Sequence, residues 1–252
     1  MDEQKNQLYS EILSQKEIRR YTAQIGNSQI GIAGQEKIKE SKVLVIGAGG
    51  KGTLILQNLS TIGIGKLGIC DNSFIVEGDL IRQLLFGNND LGKHKAIVAK
   101  QKLQELNHHI SFEVHNVFIA EKNVEILCKN YDILIDATNK SDAHFLVSDF
   151  AIKLNKPLIY TSVTDSTGQI SVFNYKNKSS FRNLSQKESM NTITEISKEL
   201  LCQVSIFSII GAIVATETLK LIMGIDTQLN SNLLNINAND YSFILEPTSK
   251  ES

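Results

Sequence analysis

The stretch VLVIGAGGKGTLILQNLSTIGIGKLGICD, residues 43–71, decides how the rest of the chain is read. An apolar run enters a glycine cluster, continues as a helical pattern and closes on an aspartate. VLVI, short and bounded by glycine, suits a buried strand. Leu54, Ile55, Leu59 and Ile62 recur at helical spacing and predict a helix over residues 51–62. Gly47, Gly49 and Gly52 fit G-x-G-x-x-G, with Gly50 between them. Glycines there let the backbone turn tightly and approach a phosphate. The helix N-terminus then offers free N–H groups and a favourable dipole. Asp71 ends the next strand, where an acid can accept ribose hydroxyls. A tight turn and a helix or turn cap are the plainer readings of the two features. The motif by itself does not separate a redox dinucleotide from ATP.

Outward from this unit, strands and helices alternate. Residues 10–39 look helical, with a break around Gly26–Gly34. A helix is expected over 90–106, a strand at ISFEVHNV, a short helix over 123–130, a strand at DILIDAT and a helix over 142–154. PLIYTSV and GQISVFNY follow, joined by a polar turn and no helix, and LLNINA and DYSFILE close the chain. The alternation implies an α/β fold: a Rossmann-like, mostly parallel sheet covered by helices on both faces, with a C-terminal antiparallel extension. Without repeats or low-complexity linkers, residues 1–252 read as a single nucleotide-binding domain. Within it, the polar stretch 176–199 reads as a flexible crossover loop.

The composition excludes several functions. Of 252 residues, Lys+Arg number 26 and Asp+Glu 27, so no global field favours nucleic acid or a membrane surface. Three dispersed cysteines, Cys70, Cys128 and Cys202, form no CxxC, so no zinc site is expected. Sparse, odd cysteines and a polar N-terminus fit the cytoplasm. Residues 200–224 form an apolar segment interrupted by Glu217 and Lys220, which favours a core helix over a membrane span.

The discriminating segment is SFIVEGDLIRQLLFGNNDLGKHKA, residues 73–96, with Arg82 and Lys95. A redox dinucleotide fold needs no basic pair here. Transfer of a nucleotidyl group does, because cations must offset charge on the polyphosphate. A solvated charged loop is the alternative. The combination D…RQ.LF…D.GK.KA resembles the ThiF/MoeB/HesA adenylyltransferases, the bacterial relatives of ubiquitin-activating enzymes. RYTAQIG, VLVIGAGGKG, DILIDATN, KPLIYTSV and GAIVATETLKLIMG extend the likeness over roughly residues 17–230.

The resemblance implies adenylation of a C-terminal carboxylate, that of a small ubiquitin-like sulfur-carrier protein or a peptide, with release of pyrophosphate. It implies ATP and Mg²⁺ as cofactors and a homodimer, or a heterodimer with a paralogue, as the assembly. Position by position, Gly47, Gly49, Gly50 and Gly52 match the phosphate-loop glycines and Asp71 the ribose acid. Arg82 and Gln83 match the "RQ" pair and Lys95 the phosphate-binding lysine. Arg82 and Lys95 are then the candidate catalytic residues.

Three positions depart from the family pattern. Ala23 replaces an arginine that reaches the partner subunit's ATP; Arg20, one turn away, could take over its reach. Asp79 replaces an asparagine and adds negative charge near the phosphates. Asn139 replaces the aspartate associated with Mg²⁺, and an amide is a weaker ligand for that hard cation. Lys140 beside it is either a phosphate-facing cation or a surface lysine. The departures keep open a second reading, a binding-only or half-active member working with a complete paralogous subunit. His94, His115 and His144 suggest no metal spacing, and Cys202 reads as a packed helix-start residue.

Overall fold

A computed structural model describes residues 10–177, 179–185 and 203–248. Strand β1 (Lys42–Ile46) sets its layers. Val43 and Val45 enter one apolar cluster, Leu44 and Ile46 the other, so the strand is buried on both faces. Only the middle of a two-sided sheet requires that pattern. Three short helices precede it: α1 (Gln15–Arg20), α2 (Thr22–Ile25) and α3 (Gly31–Glu40). The parallel part follows as α4 (Gly50–Ile62), β2 (Lys66–Cys70), α5 (Lys95–Leu106), β3 (Ser111–His115), α6 (Glu121–Cys128), β4 (Ile133–Asp136), α7 (Ser141–Lys153) and β5 (Leu158–Thr164). The remainder is β6 (Thr167–Phe173), α8 (Phe181–Ser185), α9 (Gln203–Met223), β7 (Asn232–Asn237) and β8 (Ser242–Pro247).

The sheet order is β3-β2-β1-β4-β5-β6-β7-β8. Pairing is parallel from β3 to β5 and antiparallel from β5 to β8. This is the expected mostly parallel sheet with an antiparallel extension. From β1 the chain goes outward to β2 on one side, and β4 later lies on the other. That reversal opens a crevice at the C-terminal ends of β1, β2 and β4.

Helices α3, α4, α5 and α9 cover one face and α6, α7 and α8 the other. Ile55, Leu56 and Leu59 of α4 are fully buried beneath Ile206, Ile210 and Val214 of α9. Each such side chain contributes about 1.5–3 kcal/mol of burial. The stretch Val204–Met223 is long and apolar enough to cross a bilayer, but half of it is buried inside this fold. It is the core helix that the sequence favoured. A Cβ on Gly211 would lie 2.9 Å from the Leu54 Cβ, so α4 and α9 approach at close range.

Two boundaries differ from expectation. The helix expected from Asp90 starts at Lys95, because Asp90 is used in a tight turn: its carboxylate accepts from Gly87 N and pairs with Lys102. The N-terminal break ends before Gly31 and not at Gly34. Gly34 lies inside α3, where an added Cβ would meet the Met223 Cε at 2.8 Å. The expected crossover loop, 176–199, falls largely outside the described residues, as does Cys202.

The Gly47–Gly52 turn leaves no room for a side chain at its second end. Gly47 has φ +104, and a Cβ on Gly52 would stand 1.9 Å from the Gly47 carbonyl oxygen, an immovable backbone atom. Gly52→Ala should therefore destabilise the protein by about 3 kcal/mol or more, whereas Gly87→Ala, with open space around it, should be near neutral. Urea unfolding of the two variants checks this.

Candidate active site

The crevice at the strand ends is a cavity of about 310 Å³. Its floor is the glycine loop. Gly49 caps α4 with no side-chain hydrogen bond, and Gly50 opens the helix, so first-turn N–H groups stay unspent. Asp71, at the end of β2, fixes this loop. Its two carboxylate oxygens accept from Ala48 N at 2.7 Å and Ser73 N at 2.6 Å.

The opposite wall is built on Asp79, whose side chain is 4% exposed. One oxygen pairs with Lys95 Nζ at 2.9 Å. The other accepts from Gln83 Nε2 at 2.6 Å and from the Arg82 guanidinium at 3.2 Å. Val76 N also donates to this carboxylate, at 3.1 Å. Burial pushes the Asp79 carboxyl up. The Lys95 hydrogen bond, the Val76 N–H and the charges of Lys95 and Arg82 outweigh burial and hold it below the usual range. So the negative charge expected near the phosphates is not free: it anchors the two cations. Gln83 Oε1 is buried without a hydrogen-bond partner among the described residues, leaving an acceptor in the wall.

The third side is the turn after β4. Thr138 and Asn139 line the cavity, as does Lys140, whose Nζ lies 5.0 Å from the centre of the Phe118 ring. Behind it, Asp136 is fully buried. Its oxygens accept from Thr138 N at 2.9 Å and Thr138 Oγ1 at 2.7 Å, and contact His144 Nδ1 at 2.7 Å. Val117, Phe118 and Ile119, after β3, add an apolar lip, and Phe207 of α9 closes the floor.

Nine of the ten sequence-selected residues line this cavity: Gly47, Gly49, Gly50, Asp71, Asp79, Arg82, Gln83, Lys95 and Asn139. Gly52 sits behind it, beneath the Gly47 carbonyl. Arg20 is not part of it; its guanidinium donates to Leu106 O at 2.6 Å. Ala23 is exposed on α2. His144, read from sequence as isolated, is the Asp136 partner, and His115 lies 2.8 Å from Tyr131 Oη. Lys51 was missed as a site residue. The motif's variable position hid it, although a lysine so early in a buried helix is itself a signal.

The residues do not build a Mg²⁺ cage. Each Asp71 oxygen already accepts one backbone N–H, both Asp79 oxygens are engaged by cations and an amide, and position 139 is an amide. Among the described residues no three His, Cys, Asp or Glu side chains converge on a metal position.

A glycine loop at a topological switch point, faced by anchored cations, is an α/β arrangement whose N–H groups and charge suit a phosphorylated ligand. Residues 21–251 match the ThiF family, and the chain belongs to that family. It is 36% identical over 235 residues to a Porphyra purpurea protein named a probable molybdopterin-synthase adenylyltransferase, covering 91% of this chain and 60% of that one. It is 35% identical to a Culex quinquefasciatus adenylyltransferase and sulfurtransferase MOCS3, covering 92% of this chain and 53% of the relative. A Thermus thermophilus sulfur carrier protein adenylyltransferase is 31% identical, covering 91% of this chain and 87% of that protein. The chain thus spans little more than half the length of the first two. A PaaA crystal structure matches with TM-score 0.81 at 24% identity, covering 98% of this chain and 78% of that one. E. coli MccB with ATP matches with TM-score 0.77 at 20% identity, covering 92% and 72%. These two share the fold.

Asp79 gives a pH-dependent test. A carboxylate held below its usual range stabilises the fold above the unfolded pKa, about 3.9, and that contribution is lost as pH falls through the folded value. Asp79→Asn should cost about 2 kcal/mol at pH 7, the scale of a buried charged hydrogen bond losing its partner. The gap from wild type should shrink toward pH 3. Urea midpoints at the two pH values measure both.

Proposed function

We propose that this chain is an ATP-dependent adenylyltransferase that activates a carboxylate, the C-terminus of a small ubiquitin-like sulfur-carrier protein or of a peptide. One observation carries the reading: Arg82 and Lys95 are fixed by one buried carboxylate at the mouth of an uncapped glycine loop. That arrangement suits a triphosphate, and a redox dinucleotide fold does not need it. The names of the relatives from Porphyra, Culex and Thermus support it.

In the proposed reaction a carboxylate oxygen attacks the α-phosphorus of ATP. The bond to the bridging oxygen of the β-phosphate breaks, pyrophosphate leaves, and an acyl-adenylate remains. No covalent enzyme nucleophile is needed; catalysis is positioning and charge neutralisation. The α4 N–H groups donate to phosphate oxygens, and Asp71, whose oxygens each keep a lone pair beside one backbone N–H, accepts a ribose hydroxyl. Arg82 and Lys95 offset the charge that develops on the phosphates. Lys140 and Asn139 complete the ring on the β4 side. Mg²⁺ has no protein carboxylate waiting for it, so the proposed charge compensation rests on these side chains. The cytoplasm is the proposed location.

ATP–pyrophosphate exchange with candidate carrier proteins and peptides tests the activity. Arg82→Ala and Lys95→Ala should each lower kcat/KM about 10²–10³-fold, the range for deleting one preorganised charge stabiliser. ATP binding without exchange for any carboxylate would reject the enzymatic reading.

Ala23 favours a second reading, a nucleotide-binding subunit that works with a paralogue supplying the missing arginine. The exposed Phe74, Val76, Ile81 and Leu84 lie in the segment that lines the cavity and are compatible with such a partner. Ala23→Arg separates the two. If a homodimer forms and the arginine is what it lacks, exchange should rise about tenfold or more, about 1.4 kcal/mol of transition-state stabilisation. An unchanged rate would show that the wild-type site does without it.

A further inference from the structure

Lys51 is a charge-bearing group that the reaction above does not use. It is the second residue of α4 and only 2% exposed, yet it lines the cavity. Its Nζ donates to the carbonyl oxygens of Thr138, at 2.7 Å, and Thr161, at 2.8 Å. It therefore ties the glycine-loop helix to the turn after β4 and to β5. The placement is costly for a cation. Burial disfavours its charge, and so does the positive end of the helix dipole. Burial lowers the Lys51 pKa to about 7, with the buried Asp136 carboxylate pulling the other way. A neutral amine has two N–H donors, and among the described residues Lys51 Nζ has two acceptors. The third proton, carried only by the ammonium, has no oxygen among the described residues to receive it.

We propose that Lys51 is a further positioning residue of the nucleotide site, a buried lysine that takes up a proton when an anionic phosphate occupies the cavity. Uncharged, it holds the 138–140 turn against the glycine loop. The phosphate charge beyond the loop then favours the ammonium, and one proton enters from solvent with the ligand. The inference rests on the nucleotide reading above and adds a proton linkage to it. The charged and titratable groups around Lys51 are Asp136 on β4 and His144 on α7. Asp71 follows β2, Asp79, Arg82 and Lys95 lie on the facing wall, and Lys140 follows β4. The sign follows from the proton uptake. At low pH Lys51 is already charged and contributes fully. As pH rises through about 7 the proton must be acquired on binding, and affinity falls.

The test compares ATP binding to wild type and Lys51→Met by calorimetry between pH 6.5 and 8.5. The nucleotide's own ionisation is common to both proteins and drops out of the difference. If binding raises the lysine's pKa by one unit, wild type should bind about tenfold tighter at pH 6.5, and the gap should close to under about twofold at pH 8.5. A folded variant with unchanged affinity, or a gap that does not vary with pH, overturns the proposal. A second measurement does not depend on the variant folding. In wild type labelled at lysine Cε, one resonance should titrate near neutrality and shift to higher pH on adding ATP. If every lysine titrates in the ordinary range, or the depressed one ignores ATP, the proposal is wrong. If wild type binds no ATP, the nucleotide reading fails first and the linkage falls with it; if ATP binds and only these signatures are missing, the linkage alone fails.

Discussion

The contact on which the rest of this structure depends is the approach of Gly52 to the carbonyl oxygen of Gly47. An added Cβ would stand 1.9 Å from that oxygen, so the sequence has no freedom there. The approach lets α4 start directly above the end of β1 and aims its first N–H groups into the crevice. Asp71 holds the same loop from the side through Ala48 N, and the Cys70 carbonyl takes Gly47 N. Everything else in the site, from the 79–95 wall to the 138–140 turn, is arranged around a loop that can take one shape only.

Around this loop the structure handles charge by anchoring it. Arg82 and Lys95 would otherwise be long, mobile cations losing rotamer entropy on each binding event. Asp79, itself buried, fixes both in advance together with Gln83. The arrangement trades some attraction for order: a carboxylate beside two cations weakens their pull on a phosphate but removes the cost of assembling them. Asp136 does the same on the other side, where His144 and Thr138 satisfy it and the turn bearing Asn139 and Lys140 is held in place.

The strands and the glycine loop were legible in the sequence because their physics is local. Strand β1 shows as an apolar run, and the loop shows as glycines at fixed spacing. The helix start at Lys95 was not legible, since whether Asp90 continues a helix or closes a turn depends on Lys102, twelve residues on within α5. His144 looked isolated for the same reason: its partner Asp136 belongs to another element and meets it only in the fold. Lys51 was hidden differently. It occupies a variable position of a recognised motif, and the motif draws the eye to its glycines. Asp79 shows in the sequence as an added negative charge near the phosphates, but the partners that receive it do not show there. Only the distances to Lys95 and Arg82 show the charge to be already matched.

Those distances also bear on the departures at 79 and 139, which belong together. The family pattern that the sequence resembles has an amide at the first position and a carboxylate at the second; this chain has the reverse. Three cations, Arg82, Lys95 and Lys140, the titratable Lys51, and two carboxylates, Asp71 and Asp79, line the cavity. Exchanging the groups at 79 and 139 would leave that balance unchanged and move one negative charge from one wall to the other. The site has therefore not lost a charge; it has relocated one. The wall that carries Asp79 gained rigidity, and the wall that carries Asn139 became more positive, with Lys140 at its rim and Lys51 beneath it. Relative to that pattern, the β4 side of the cavity is the less negative one. That is where a carboxylate-held metal would act in the family pattern, and where this chain places lysines instead.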